Sequence, residues 1–217
     1  MRPASFAFAP EGLKYLLLCA FFTQIVAMLD CEWGALVGLL VTAFVFNFFR
    51  DPDRVVPVGQ GLAVSPADGK VILVDEAPDP ISGELRLRVC VFMNVFNVHV
   101  NRSPVAGQVT DVVYHPGKFF NASFDKASTD NERCAVGLRD EDGRSLSMVQ
   151  IAGLVARRIV CRVEPGDALG RGERFGLIQF GSRVDLYLPK DYEVVIRKGE
   201  KTLAGQTVIA RVPAGAH

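Results

Sequence analysis

The sequence predicts a mainly β (α+β) protein, a domain of duplicated β hairpins behind an N-terminal hydrophobic helical hairpin. Strongly apolar residues crowd before Phe49, whereas the rest of the 217-residue chain alternates short Val/Ile/Leu runs with Gly, Pro and Asp. Long helical periodicity is missing after Asp51, except around Asn121–Arg133. Turn-forming segments in the second part also repeat, which points to a doubled β unit.

The helical hairpin comes first. Tyr15 to Leu29 is almost wholly apolar, Asp30-Cys31-Glu32 interrupts it, and Trp33 to Phe49 is apolar again. Each run approaches the lower length limit for a membrane-spanning helix. Lys14 precedes the first run, Arg50 and Arg54 follow the second, and the acidic pair lies between them. That pattern places both outer ends on the cytoplasmic side, with Tyr15 and Trp33 as interface anchors. A hairpin lying in one leaflet is the alternative, because Asp30 is costly at depth. A secretory leader fits less well, since no small-residue cleavage site clearly follows the first run. Asp51-Pro52 ends the second helix. Residues 1–50 therefore read as a membrane-attached hairpin and 51–217 as the β domain.

Within that domain, strands are expected at Val71–Val74, Leu85–Met93, Val109–Tyr114, Ala135–Leu138, Leu146–Ile151, Ile159–Val163, Val184–Leu188, Tyr192–Ile196 and Thr207–Val212. Ser65-Pro66-Ala67-Asp68-Gly69-Lys70-Val71 and Ser103-Pro104-Val105-Ala106-Gly107-Gln108-Val109 share the pattern S-P-x-x-G-x-V. Gly166-Asp167 and Gly199-Glu200 form a second matching pair, followed by Gly172 and Gly205. These turns resemble those of biotinyl- and lipoyl-type barrel-sandwich modules, so a duplicated barrel-sandwich-like β domain is expected.

Composition excludes several function classes. Lys+Arg and Asp+Glu are both 24, so no basic surplus invites nucleic acid. The five cysteines form no C-x-x-C pair and are odd in number, which reads as buried thiols in a reducing compartment. The only histidines are His99, His115 and His217, too few for a zinc-peptidase ligand set, and no metal site is expected. A lipoyl or biotinyl carrier needs a lysine flanked by Met at a hairpin tip, and none is present. Read alone, Gly181-Ser182 is a turn before a strand, Asp68 is a turn residue, and His99 is a core histidine.

Taken together, these residues fall into a recognisable order. Phe48-Phe49-Arg50-Asp51-Pro52-Asp53-Arg54 is followed by Ser65-Pro66-Ala67-Asp68-Gly69 and then by Asn97-Val98-His99-Val100-Asn101-Arg102-Ser103-Pro104. Asn121-Ala122, Asp125-Lys126-Ala127-Ser128, Asn131-Glu132-Arg133 and Gln150-Ile151-Ala152-Gly153 come next. Arg174 to Asp185 closes the series and contains Phe180-Gly181-Ser182-Arg183. From Phe48 to Leu188 the chain resembles the short class of pyruvoyl-dependent phosphatidylserine decarboxylases. F-G-S-R stands where larger members carry L-G-S-T. Phe96 stands where they carry an additional histidine.

The resemblance implies a proenzyme. The Ser182 hydroxyl attacks the Gly181 carbonyl, and an ester replaces the peptide bond. β-Elimination then frees residues 1–181, and the dehydroalanine left on residues 182–217 rearranges and loses ammonia to become a pyruvoyl group. The family pattern places its Asp-His-Ser triad on Asp68, His99 and Ser182. The pyruvoyl cofactor would form a Schiff base with phosphatidylserine, release CO2 and yield phosphatidylethanolamine. The implied partners are phosphatidylserine in the membrane and the chain's own large and small fragments as a heterodimer, with higher oligomers left open and no nucleic acid. The implied location is the inner cell membrane, catalytic domain on the cytoplasmic face. The alternative is a non-enzymatic, membrane-anchored barrel-sandwich module. Arg102, Lys118, Lys126 and Arg133 are available to bind the substrate phosphate. His115 reads as a surface or turn residue.

Overall fold

A computed structural model describes residues 8–120, 122, 130–153, 158–179 and 181–213. It divides into two compact units, Met1–Asp53 and Arg54–His217.

In the first unit a short 3-10 turn, Pro10–Gly12, leads into α1 (Leu13–Met28), and α2 (Glu32–Phe48) returns beside it. The helices approach closely because α2 presents glycines to α1. A Cβ at Gly34 would lie 2.6 Å from Val26 Cγ1, and one at Gly38 would lie 2.6 Å from Thr23 Oγ1. Thr23 and Thr42 meet across the seam at 3.3 Å, and each hydroxyl also donates to a carbonyl of its own helix. Their polarity is thereby satisfied without water. Asp30 makes the reversal at φ +54°, the only positive φ among described non-glycine residues. Large apolar side chains face outward, with Leu40 64% and Trp33 79% exposed. Pro10–Met28 is long and apolar enough to cross a membrane, whereas α2 is shorter. Such a surface is compatible with membrane association.

The second unit is built from β1 (Leu62–Val64), β2 (Gly69–Pro78), β3 (Leu85–Met93), β4 (Val100–Arg102), β5 (Gly107–His115), β6 (Arg133–Asp140) and β7 (Ser145–Ala152). These are followed by β8 (Ile159–Cys161), β9 (Ala168–Leu169), β10 (Arg174–Ile178), β11 (Ser182–Leu188), β12 (Glu193–Val194), β13 (Lys201–Thr202) and β14 (Val208–Arg211). An eight-stranded sheet runs in the order β13-β2-β3-β11-β7-β6-β5-β9, and two three-stranded sheets run β1-β14-β12 and β4-β10-β8.

The duplication seen in sequence is carried by hydrogen bonds. The Ser65 and Ser103 hydroxyls donate to Ala67 and Val105 carbonyls, two residues on in each copy. The Ser65 carbonyl accepts from the Gly205 amide, and the Ser103 carbonyl accepts from the Gly172 amide. Val71 exchanges backbone bonds with Gly199 and Glu200, as Val109 does with Gly166 and Asp167. Thus β13-β2-β3 corresponds to β9-β5-β6, and β1-β14-β12 to β4-β10-β8. The main core lies on the sheet face carrying Val89, Val91, Met93, Val136, Met148, Val184 and Leu186.

The predicted strand at Leu85–Met93 is observed with those bounds, and most others extend by a residue or more. Tyr192–Ile196 shortens to Glu193–Val194. Strands β1, β4, β9 and β13 hold only two or three residues, too few to show alternation. β10 is buried from Phe175 to Ile178, so no polar face marks it. Most of the helical expectation at 121–133 falls outside the described residues, and Arg133 opens β6.

Candidate active site

Ser182 is the first residue of β11, between Met93 of β3 and Ala152 of β7. All of β11 is buried. Ser182 itself has no exposed surface, and its Oγ has no hydrogen-bond partner among the described residues. A buried, unsatisfied hydroxyl costs about 1–3 kcal/mol, so the fold keeps it there at the expense of stability.

Gly181 precedes it at φ +72°, a left-handed conformation that glycine adopts at little cost. Its carbonyl sits against Gly153, where a Cβ would lie only 2.2 Å from the Gly181 oxygen. Gly153, at the end of Gln150-Ile151-Ala152-Gly153, therefore makes room for the carbonyl that the serine would attack. Sequence reading placed this glycine in a motif but gave it no role.

His99 directly precedes β4 and is fully buried. Its Nδ1 lies 2.9 Å from the Asn97 carbonyl, so Nδ1–H donates there and Nε2 keeps its lone pair. That Nε2 accepts from the Gly181 amide at 3.4 Å. Asn94 and Asn97 brace the preceding turn. The Asn97 Oδ1 accepts the Asn94 amide, and the Asn94 Oδ1 accepts the Phe96 amide. The turn thus places a ring nitrogen with basic character beside the Gly181-Ser182 bond.

Asp68, in the turn before β2, is also buried. Its Oδ2 pairs with Arg54 at 2.7 Å, and its Oδ1 accepts the Ala204 amide at 2.7 Å. Arg54 also donates to Gln206 Oε1 at 3.1 Å. The structure thus brings His99 to Gly181-Ser182. In the uncut chain it gives the Asp68 carboxylate to Arg54 and to the C-terminal segment, while a backbone carbonyl orients the imidazole. Arg54, last residue of the F-F-R-D-P-D-R stretch, is thus tied to the candidate site through Asp68. In sequence it shows only as a positive flank of the second apolar run and as the last residue of that motif, with no mark of a pairing.

On the opposite face of β11, Arg183 and Asp185 form a fully buried ion pair, with Nη2 to Oδ2 at 2.7 Å. Burial disfavours the Arg183 charge, but Asp185 outweighs that and raises its pKa overall. Arg183 also reaches Cys90 Sγ at 3.0 Å. Burial and the Asp185 charge push the Cys90 thiol up, and the same two causes raise the Tyr187 hydroxyl to about 12. This ionic cluster grips the strand immediately after Ser182.

The phosphate candidates separate by exposure. Arg102 is buried, with its guanidinium on the Gly172 carbonyl at 3.1 Å, whereas Lys118 is exposed beside the Phe120 ring. Lys126 and His217 lie outside the described residues. His115 ends β5 and is half-buried.

Comparison with known proteins identifies the family of the chain. Residues 41–210 match the family phosphatidylserine decarboxylase. A phosphatidylserine decarboxylase proenzyme of Nitratidesulfovibrio vulgaris is 59% identical over 97% of both chains. One from Oleidesulfovibrio alaskensis is 59% identical, covering 97% of this chain and 96% of its own. One from Ruegeria pomeroyi is 49% identical over 93% of each. The chain belongs to the phosphatidylserine decarboxylase family of carboxy-lyases.

Proposed function

We infer that the chain cuts itself between Gly181 and Ser182 and then decarboxylates phosphatidylserine. One observation carries this reading. A buried serine hydroxyl without a partner follows a left-handed glycine whose amide touches an unprotonated imidazole nitrogen.

The residues present suit a pyruvoyl group made at position 182. His99, whose Nε2 accepts from the Gly181 amide and whose Nδ1 is held on Asn97, is assigned as the base that takes the serine proton. Gly153 leaves the Gly181 carbonyl space as its carbon becomes tetrahedral. Asp68 is assigned as the third member of the site, anchored by Arg54 and able to share its charge with the imidazole as a proton arrives. Formed from Ser182 at the start of β11, such a group would supply an electrophilic carbonyl for the substrate amine and an electron sink for decarboxylation.

Cutting need not release the small fragment. Val184, Leu186 and Leu188 are fully buried, each contributing about 1.5–3 kcal/mol, and β11 stays paired with β3 and β7. Residues 1–181 and 182–217 then remain a heterodimer. A diacyl lipid leaves the bilayer reluctantly, since each buried methylene contributes about 0.8 kcal/mol. The apolar hairpin, read as the membrane-attached segment 1–50, would keep the β domain at the cytoplasmic face of the inner membrane.

Intact-mass measurement tests this reading. The expected result is two species, 1–181 and a 182–217 fragment with a blocked N-terminus, and a single uncut species for Ser182→Ala. An uncut parental chain, or a cut Ser182→Ala chain, would overturn it. Cyanoborohydride with phosphatidylserine should add mass to the small fragment alone.

A further inference from the structure

Beneath Ser182 lies a second buried polar group whose potential is unused. Gln150 of β7 has no exposed surface; its Nε2 donates to Asn101 Oδ1 at 2.9 Å, and its Oε1 has no partner among the described residues. Asn101 of β4 is equally buried, and its Nδ2 reaches Met93 Sδ at 3.7 Å. Since β11 lies between β3 and β7, an amide pair joining Gln150 to Met93 crosses the core face of β11. The register fixes where it crosses. Ser182 faces Met93 on one side and Ala152 on the other, and Gln150 faces Val184. Side chains alternate along a strand, so Gln150 and Ser182 share a face as diagonal neighbours, within reach of a long side chain.

Two fully buried groups are therefore left unsatisfied on one face, and they are complementary. The Ser182 hydroxyl is a donor lacking an acceptor, and Gln150 Oε1 is an acceptor lacking a donor. Buried polar groups rarely remain so unless the site uses them. Close packing against β10 also confines Gln150, because a Cβ at Gly176 would lie 2.7 Å from its Nε2.

We propose that Gln150, held by Asn101, is the acceptor that fixes the Ser182 hydroxyl in the uncut chain and so sets its approach to the Gly181 carbonyl. Gln150 takes no proton. It restricts the serine to one rotamer, with the oxygen turned between the core and the scissile carbonyl, and His99 remains the base. Asn101 keeps the Gln150 nitrogen occupied, so that the oxygen end faces position 182. This rests on the self-cleavage reading above.

The test is the rate of cutting, followed by intact mass during cell-free synthesis of the full chain in detergent micelles. Gln150→Met keeps the shape and removes the acceptor, and cutting should slow by about tenfold or more. Gln150→Glu keeps an acceptor at the same position and should cut within about threefold of the parent, because Asn101 can turn its amide to donate to it. Asn101→Leu should slow cutting as Gln150→Met does. Melting temperatures of the same variants in a Ser182→Ala background separate loss of fold from loss of orientation. The proposal is overturned if folded Gln150→Met cuts at the parental rate, or if Gln150→Glu is as slow as Gln150→Met. An uncut parental chain would instead sink the self-cleavage reading itself.

Discussion

Gly153→Ala should stop self-cleavage more completely than Gly181→Ala, although Gly181 flanks the bond that breaks. A Cβ at residue 153 would sit 2.2 Å from the Gly181 oxygen and 3.0 Å from its carbon, with Ala122 Cβ at 3.4 Å. The scissile carbonyl would have to retreat by about 1 Å, a misplacement that costs about 100-fold in an oriented reaction. At Gly181 no atom of the described residues beyond its chain neighbours lies within 4 Å of a Cβ, so the left-handed φ of +72° is what resists a side chain. That penalty is roughly 1–2 kcal/mol. At about 1.4 kcal/mol per factor of ten, it corresponds to about 5- to 30-fold slower cutting. The assay is appearance of the 182–217 fragment by intact mass, with melting temperatures compared in a Ser182→Ala background. Parental-rate cutting by Gly153→Ala, or a larger defect in Gly181→Ala, would refute the argument that the carbonyl's position is what Gly153 protects.

Other outcomes follow from the same geometry. Arg183→Met leaves Asp185 buried without its cation and should cost about 3–5 kcal/mol in urea unfolding, while Arg183→Met with Asp185→Leu should recover most of it; an equal loss in both would contradict the pairing. His99→Ala should leave the chain uncut and folded, and Arg54→Met should slow cutting while exogenous guanidine partly restores it; a normally cut His99→Ala chain removes the imidazole from the mechanism. The Cys134 thiol donates to Cys161 and is itself pushed up, and that donation lowers Cys161 to about 7 against the opposing effect of burial. The Cys161 thiolate then forms as pH rises through about 7, so iodoacetamide labelling there should reach half its maximum near that pH, and a midpoint above 8.5 would refute the pairing.

Much of this was legible in the sequence, for reasons that can be stated. The S-P-x-x-G-x-V and Gly-acid repeats are visible because turns demand particular residues, and those turns hold corresponding hydrogen bonds in the two halves. Long strands with one solvated face, such as β5, show in their alternation. β10 does not, because burial on both sides removes the polar positions that would mark it. Of the candidate site, Gly181, Ser182 and His99 were readable through motif order, and the fold brings them together. The engagement of Asp68 by Arg54 was not, since a turn aspartate and a helix-stop arginine carry no mark of a pairing across 14 positions of chain. The role of Gly153 was hidden for a related reason. A glycine required by a neighbour's carbonyl reads like any other glycine until that neighbour is in place.

The duplicated architecture explains why one chain holds one such site. Asp68 in the first S-P turn corresponds to Ala106 in the second, and the second copy has no carboxylate to offer. The strands nearest the middle of the large sheet, β11 and β7, begin and end differently: β11 opens on Ser182, while β7 closes on Ala152 and passes into Gly153. Where the two halves meet, a serine from one strand and a glycine following the other share a single carbonyl, that of Gly181. The repeat supplies a rigid frame on both sides of that carbonyl, and in the proposed reading departures from the repeat would supply the chemistry. An ion pair as deep as Arg183–Asp185 has a clear use in this setting. It would hold the chain end made by the proposed cut in register from the face opposite Ser182, where the proposed roles of His99 and Gln150 need no room.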